Sequence, residues 1–495
     1  MSSCAVLHIT SLLGGGVDRH VRDIARSASG RHLVWHIADG ADVIEVPREG
    51  RFLPLDAAAI GRAPTQLAGW LRAQGVGVIH AHSVSRAARR RARWAAQALG
   101  IATIVTLHDI LFLRREGFEP GAAPGADPAW LAQTAPFLRN AAAVLAPSHF
   151  VADLARRNIE GLEMSVVANG SPARGGAERT IAARAEFAAR RPRHVVAVLG
   201  AIGPHKGSAV IEGLARELEG SDIAAVIVGY LDMQVLPGWR GGNLFVHGAY
   251  DDDDVTPLLR AYGAEVALFP NQVAESFSYT LSDVWSAGLP ALVAPDGALA
   301  ERVQAHEGGW LLPKGFGARE VAATLRRLLS SDGAADLARV RSRLTLPDPG
   351  RVPCLDAMTR SLDALYTRFG IAPGASLDMD APGVRELLAK NLDGSLFRQE
   401  LVRLADEMAQ MKGALEATLE FERRQARDFK DEASRWIEKL QGDVASVQAE
   451  IAREVDARRA LAQEIVQLRI HKEAFDLLPE IVRKLLLKKI LNARS

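Results

Sequence analysis

Cysteine is nearly absent from this 495-residue chain, with only Cys4 and Cys354. Two thiols so far apart supply neither a disulfide framework nor a thiolate metal cluster, so the expected setting is a reducing compartment. Also missing is any run of 18 or more apolar residues, the length a membrane-spanning helix needs. Residues 1–9 lack the basic start, apolar core and cleavage site of a leader. The expected location is therefore cytoplasmic, reaching the inner face of the cell membrane only as a peripheral guest. Charge of one sign is not in excess either: 60 Lys and Arg stand against 59 Asp and Glu, for a net +1, and 48% of the residues are hydrophobic. That balance excludes a nucleic-acid coat and a disordered acidic chain. Glycine and proline fail only near the end. Of 43 Gly and 23 Pro, just Gly413, Gly442 and Pro479 follow Gly394, so the last hundred residues are built on a different plan.

Before that point, short apolar runs alternate with segments of helical period, the pattern of parallel sheets covered by helices. Strands are expected at 5–10, 76–80, 103–107 and 142–146, with helices at 17–28 and 85–99 and Ser148 capping a further helix. These form a first Rossmann-like domain over residues 1–185. After the basic, Ala-rich stretch 184–193, a second series at 195–199, 224–228, 244–247, 266–269 and 291–294 forms another over 190–350. The fold class is α/β, two Rossmann-like domains facing a cleft, because ligands in such sheets bind beyond the carboxyl ends of the strands. A helix at 355–370 follows the second series and is free to return and brace the first domain.

Several positions at strand ends carry chemistry. Gly14, Gly15 and Gly16 separate the first strand from its helix, which suits either a tight turn or a close backbone approach to a phosphate. His108 and Asp109 end a strand that faces the cleft, and Lys206, in the loop from Gly200 to Gly207, can neutralise a diphosphate. Glu275 and Asp283, eight apart, bracket Phe277, Ser278, Thr280 and Leu281 around a helix start where free N–H groups hold phosphates. Asp251, Asp252, Asp253 and Asp254 precede a helical run and are read as N-capping and dipole-complementing residues in preference to a metal site. Neither His80 nor His82 has a ligand partner at metal spacing in the sequence, and His82 stays a weak acceptor-side candidate with Asp109. The Arg86, Arg89, Arg90, Arg91 and Arg93 cluster reads as a solvated helix face or as a contact for anionic lipid.

The run from Val266 to Gly309, with Phe269-Pro270, Glu275 and Asp283, and Ala287-Gly288-Leu289-Pro290, resembles the C-terminal domain of retaining GT-B glycosyltransferases of family 4. The Gly14–Gly16 loop, Thr106-Leu107-His108-Asp109, Ala146-Pro147-Ser148 and Lys206-Gly207 resemble that family in the same order, over about residues 5–370. The resemblance implies that His108, Lys206 and Glu275 are catalytic. It implies donor binding by Gly15, Gly16, Gly200, Lys206, Glu275, Phe277, Ser278, Thr280, Leu281 and Asp283. It further implies a nucleotide-sugar donor, no metal and no other cofactor, and a cell-surface polysaccharide or lipid-linked oligosaccharide as acceptor. Ala201 stands where the family commonly has an Arg, and Asp283 where it has Glu. A weakened module serving as a coiled-coil scaffold is the alternative, and a sugar-nucleotide epimerase a more distant one.

Residues 371–394 read as a linker and 395–476 as a coiled coil, with Leu401, Leu404, Met408, Met411 and Leu415, then Leu440, Val444, Val447, Ile451 and Val455, along its seam. From 396 to 470 one helix would run about 110 Å, so self-association is expected, with an antiparallel fold-back as the other solution. Residues 477–495 form a basic amphipathic helix suited to an anionic membrane surface or to a partner helix.

Overall fold

The computed structural model describes residues 4–370, apart from 11–14, 38–40, 50, 57–63, 116–124, 173–180, 191 and 232–236, together with 434 and 438–492. Residues 1–394 and 395–495 form two separate compact units. The linker, and the coiled-coil seam up to Leu415, lie outside the described residues.

The first unit contains two sheets. In the first, β1 (Ala5–Thr10), β2 (His32–His36), β3 (Ala41–Val46), β4 (Arg51–Asp56), β5 (Val76–Ala81), β6 (Ala102–Thr106), β7 (Ala143–Ala146) and β8 (Ser165–Val166) run in the order 4-3-2-1-5-6-7-8. Strand β3 alone runs against the others, antiparallel to both of its neighbours β2 and β4. The chain leaves β1 for β2 on one side and returns for β5 on the other, so the topological switch point, where such sheets bind ligands, lies at the carboxyl ends of β1 and β5. Alternation sorts the side chains. Ala5, Leu7 and Ile9 enter the large core under helices Pro64–Ala73, Arg86–Leu99, Pro128–Arg139 and His149–Asn158, while Val6, Val78, Ile104 and Leu145 face the other side. Ser85, Asp127 and Ser148 cap three of these helices, each accepting a hydrogen bond from a first-turn N–H.

The second sheet comprises β9 (His194–Ile202), β10 (Ile223–Leu231), β11 (Gly238–Arg240), β12 (Leu244–Gly248), β13 (Val266–Phe269), β14 (Ala291–Val293) and β15 (Gly309–Leu311), ordered 11-12-10-9-13-14-15. Its switch point falls between β9 and β13. Strand β9 divides its residues the same way, Val195, Ala197 and Leu199 into one core and Val196 and Val198 into the other. The sequence pattern does not predict β2–β4, β8, β11 or β15, of which the last three are only two or three residues long.

Helix Leu355–Phe369 follows the second sheet in the chain but packs on the first. Leu355, Met358, Leu362 and Tyr366 cover Val6, Ile24, Val78, Ile104 and Leu145, beside helix Gly15–Ser27. Its entry lies against the outgoing crossover: Ser171 N donates to Pro353 O, and Leu355 N to Ser171 O. Gly170 makes that approach possible, since a Cβ there would stand 2.5 Å from Leu355 Cα.

In the second unit a helix spans 438–476 and another Glu480–Asn492. Along the first, Leu440, Val444, Val447 and Ile451 are each more than half exposed. Among the described residues no helix is long and apolar enough to cross a membrane.

Candidate functional site

The wall of the cleft nearest the second sheet is the loop after β13. Glu275 sits on it, half-buried, with one carboxylate oxygen accepting from Asn271 Nδ2 at 2.9 Å. The loop is tied to the turn carrying Lys206, because Gln272 N and Val273 N both donate to His205 O. Gly207 holds that turn at φ 84° and lies so close to Pro270 O that a Cβ would collide with it. Lys206 Nζ folds back over Gly200, where a Cβ would stand 3.8 Å from it. Lys206 and Glu275 therefore share one framework.

Ser278, at φ 77°, is one of two non-glycine residues with positive φ among the described residues, and the strained position precedes helix Tyr279–Ser286. Its hydroxyl caps that helix by accepting from Leu281 N at 3.2 Å. Buried Arg302 over-determines the loop. It donates to Phe277 O at 3.1 Å, Ser278 O at 2.8 Å, Ser282 Oγ at 2.8 Å and Arg351 O at 2.9 Å, and its guanidinium lies 4.3 Å from the Phe277 ring centre. Burial lowers its pKa to about 9, which leaves it charged at neutral pH.

The two domains meet across this loop. Ser276 Oγ donates to His108 O, and Tyr279 Oη pairs with His20 Nδ1 at 3.3 Å. Arg19 stands 3.4 Å from Asp283 and 3.5 Å from Asp252, with its guanidinium 4.5 Å over the Tyr279 ring. Glu301 accepts from His149 N and Phe150 N, capping a first-domain helix from the second domain. The acidic run does not cap its own helix as expected. Asp252–Asp254 wind into a 3-10 turn, neither Asp251 nor Asp254 makes a side-chain cap, and Asp252 reaches out to Arg19 instead.

What remains between the domains is a cleft of about 760 Å³. Of the residues singled out in the sequence, Gly15, Gly16, His108, Asp109, Lys206, Glu275, Phe277, Ser278 and Thr280 line it, as does Ala201. Four do not. Gly200 lies behind Lys206, Leu281 is in the second-domain core, Asp283 is buried against Arg19, and His82 is buried behind His108. Asp109 accepts from Leu111 N at 2.8 Å, and burial raises its pKa.

Sequence reading missed what stands behind His108. His8, His20, His32, His80, His82 and His108 are all buried in the first domain. His32 Nε2 lies 2.9 Å from Ser29 O, His32 Nδ1 2.9 Å from His8 Nε2, His8 Nδ1 2.9 Å from His82 Nε2, and His82 Nδ1 3.0 Å from His108 Nε2. His80 bridges Tyr366 Oη and Thr106 Oγ1, each at 2.7 Å. Burial depresses the pKa of all six, that of His108 to about 3, so they are neutral imidazoles at pH 7. Although no metal spacing exists in the sequence, the fold brings His8, His80 and His82, and also His20, His82 and His108, within 4.8 Å of one another. Both ring nitrogens of His82 are already engaged by His8 and His108. The available signal was alternation: His8 and Thr10 follow Val6, His80 and His82 follow Val78, and Thr106 and His108 follow Ile104, two residues apart along neighbouring strands.

Two family models match the chain, Glycosyltransferase Family 4 over residues 14–172 and Glycosyl transferases group 1 over residues 180–343. Among solved structures, Anabaena Alr3699/HepE in complex with UDP and glucose is similar with a TM-score of 0.54 and 16% identity, covering 74% of this chain and 100% of that one. Sucrose-phosphate synthase from Thermosynechococcus elongatus is similar with a TM-score of 0.53 and 16% identity, covering 74% and 98%. These likenesses show the fold. No curated protein matches the chain.

Proposed function

Residues 14–172 and 180–343 make this chain a two-domain glycosyltransferase of the family 4 and group 1 type with the GT-B fold, and on that premise we propose that it is a retaining, metal-independent enzyme. It transfers a sugar from a nucleotide-diphosphate donor to a cell-surface polysaccharide or lipid-linked oligosaccharide. The observation that carries this reading is the joint framework holding Lys206, Glu275 and the N-terminus of helix Tyr279–Ser286 on one wall of the cleft, opposite His108. Lys206 and the free N–H groups of that helix start supply positive potential where a diphosphate leaves. Glu275, aimed by Asn271, accepts from sugar hydroxyls. In the transfer the acceptor oxygen bonds to the anomeric carbon as the bond from that carbon to the diphosphate breaks. The electron pair leaves with the diphosphate, whose oxygen takes the acceptor proton.

Asp283 is assigned to the nucleotide ribose. In this structure Arg19 holds it, so ribose binding exchanges that ion pair for hydroxyl contacts. Ala201 supplies no cation, but Arg19 and Arg22 both line the cleft. Thermal shift with UDP- and GDP-sugars tests the reading. At least one donor stabilises the protein and loses its effect in Glu275→Ala, whereas silence toward every donor favours the scaffold.

The second unit is assigned to placement, through self-association along the exposed seam of 438–476. The helix Glu480–Asn492, with exposed Leu485 and Leu486 beside Lys484 and Lys489, is assigned to an anionic membrane surface. Sedimentation of the full chain against residues 1–372, and liposome flotation with and without residues 479–495, test the two assignments.

A further inference from the structure

The histidines behind the cleft form a line with one chemical direction. Ser29 O, at its inner end, can only accept, so the facing Nε2 of His32 must carry a proton. A neutral imidazole has one N–H, which leaves His32 Nδ1 as a lone pair and obliges His8 Nε2 to donate to it. The same step repeats twice: His8 Nδ1 accepts from His82 Nε2, and His82 Nδ1 accepts from His108 Nε2. A line running the other way would set a ring lone pair against a carbonyl lone pair at 2.9 Å in a buried site. His80 is under no such demand, because both of its partners are hydroxyls that donate or accept equally well.

We infer that His32, His8 and His82 are positioning residues that fix His108 as its Nε2–H tautomer, so that His108 offers the cleft a hydrogen-bond acceptor at Nδ1 and never a donor. Among the described residues no protein group hydrogen-bonds to Nδ1, and His108 itself lines the cleft. The low pKa values caused by burial agree with four neutral rings in line. An acceptor that carries no charge takes a hydroxyl or amide proton and repels a carboxylate or phosphate oxygen at the same point. Resting on the reading of the cleft as a donor site, this selects neutral hexoses, including N-acylated ones, over uronic acids.

The tautomers can be read without activity. In full-length protein labelled with [15N]histidine, long-range 1H–15N correlation at pH 7.5 distinguishes the two neutral forms. His8, His32, His82 and His108 should all appear as Nε2–H, each assigned by a single His→Gln variant. His32→Phe removes the inner acceptor and should bring an Nδ1–H population to His108. His32→Gln, whose amide can donate to Ser29 O and accept from His8, should restore the original pattern. With a donor in hand, His32→Phe should raise KM for a neutral nucleotide sugar about fivefold to tenfold, the size of one lost hydrogen bond, and leave binding of the free nucleotide unchanged. An Nδ1–H or doubly protonated ring among the four overturns the inference. So does a folded His32→Phe protein in which His108 is unaltered, or loss of the His82 and His108 Nε2–H signals on adding Zn2+, which would mark a metal centre instead. Failure of every donor to bind while the tautomer pattern holds would sink the donor-site reading alone.

Discussion

The Arg19 guanidinium, carried by the first domain, stands 3.4 Å from the Asp283 carboxylate, which belongs to the second and is 3% exposed. The same guanidinium covers Tyr279 and reaches Asp252, so a single side chain joins three second-domain groups across the mouth of the cleft.

Arg19→Met should therefore weaken the closed arrangement. Truncating one partner of a buried, charge-assisted contact costs about 2 kcal/mol, and the Arg19→Met, Asp283→Asn double variant should cost less than the sum of the two singles. Chemical unfolding of the four proteins measures the coupling, and small-angle scattering should show the single Arg19 variant as the more extended. Additive single effects would mean that the pair does not couple the domains.

Arg302 makes a different kind of contact, since its fork holds the carbonyls of Phe277 and Ser278 in a conformation that Ser278 does not favour on its own. Arg302→Lys keeps a charge but not the fork. It should lower the unfolding free energy by about 2–3 kcal/mol and abolish donor-induced stabilisation. Retention of both in Arg302→Lys would show that charge alone suffices.

Acid should unfold this protein early, and the sign follows from the histidines. Their folded pKa values are depressed by burial, that of His108 to about 3, while an unfolded imidazole titrates near ~6.5. The unfolded state thus binds more protons below that pH. The neutral rings contribute fully above ~6.5, and their contribution is lost as pH falls below that value, for His108 down to about 3, by up to about 1.4 kcal/mol per pH unit for each ring. Urea midpoints measured from pH 8 to 5 should be flat at the top and fall steeply below 6.5, less steeply in His20→Gln. A flat profile down to pH 5 would show that the rings titrate freely.

Gly170 should tolerate no side chain. With Leu355 Cα and Cys354 O inside 2.7 Å of a built Cβ, Gly170→Val must push apart the two segments that cross between the domains. The loss should exceed about 2 kcal/mol, at the upper end of overpacking costs, and hydrogen exchange should rise first in helix Leu355–Phe369. Wild-type protection in that helix would show that the crossing yields without cost.

The strands 5–10, 266–269 and 291–293 and the helix Leu355–Phe369 were legible because an apolar run or an amphipathic period is a local property, written in residues that are neighbours in the chain. So were the Glu275–Asp283 segment and the Lys206 loop, each a single stretch of sequence. Arg19 was not, since nothing on its own helix marks it as a partner for a residue 264 positions away.

By itself the sequence determined the central apolar strands, the main helices that cover them and where the punctuated part of the chain gives way to a glycine-poor rod, because turns, caps and periodicity act over a few residues. Tertiary structure decided which side chains meet. Parallel pairing sets Val6 beside His32 and His8 beside His80, and the two-residue period of each strand then stacks histidines from four separate segments into one line. Each of them alone reads as an ordinary buried residue. Only the register of the sheet, and a carbonyl at Ser29 that can do nothing but accept, gives the line its direction.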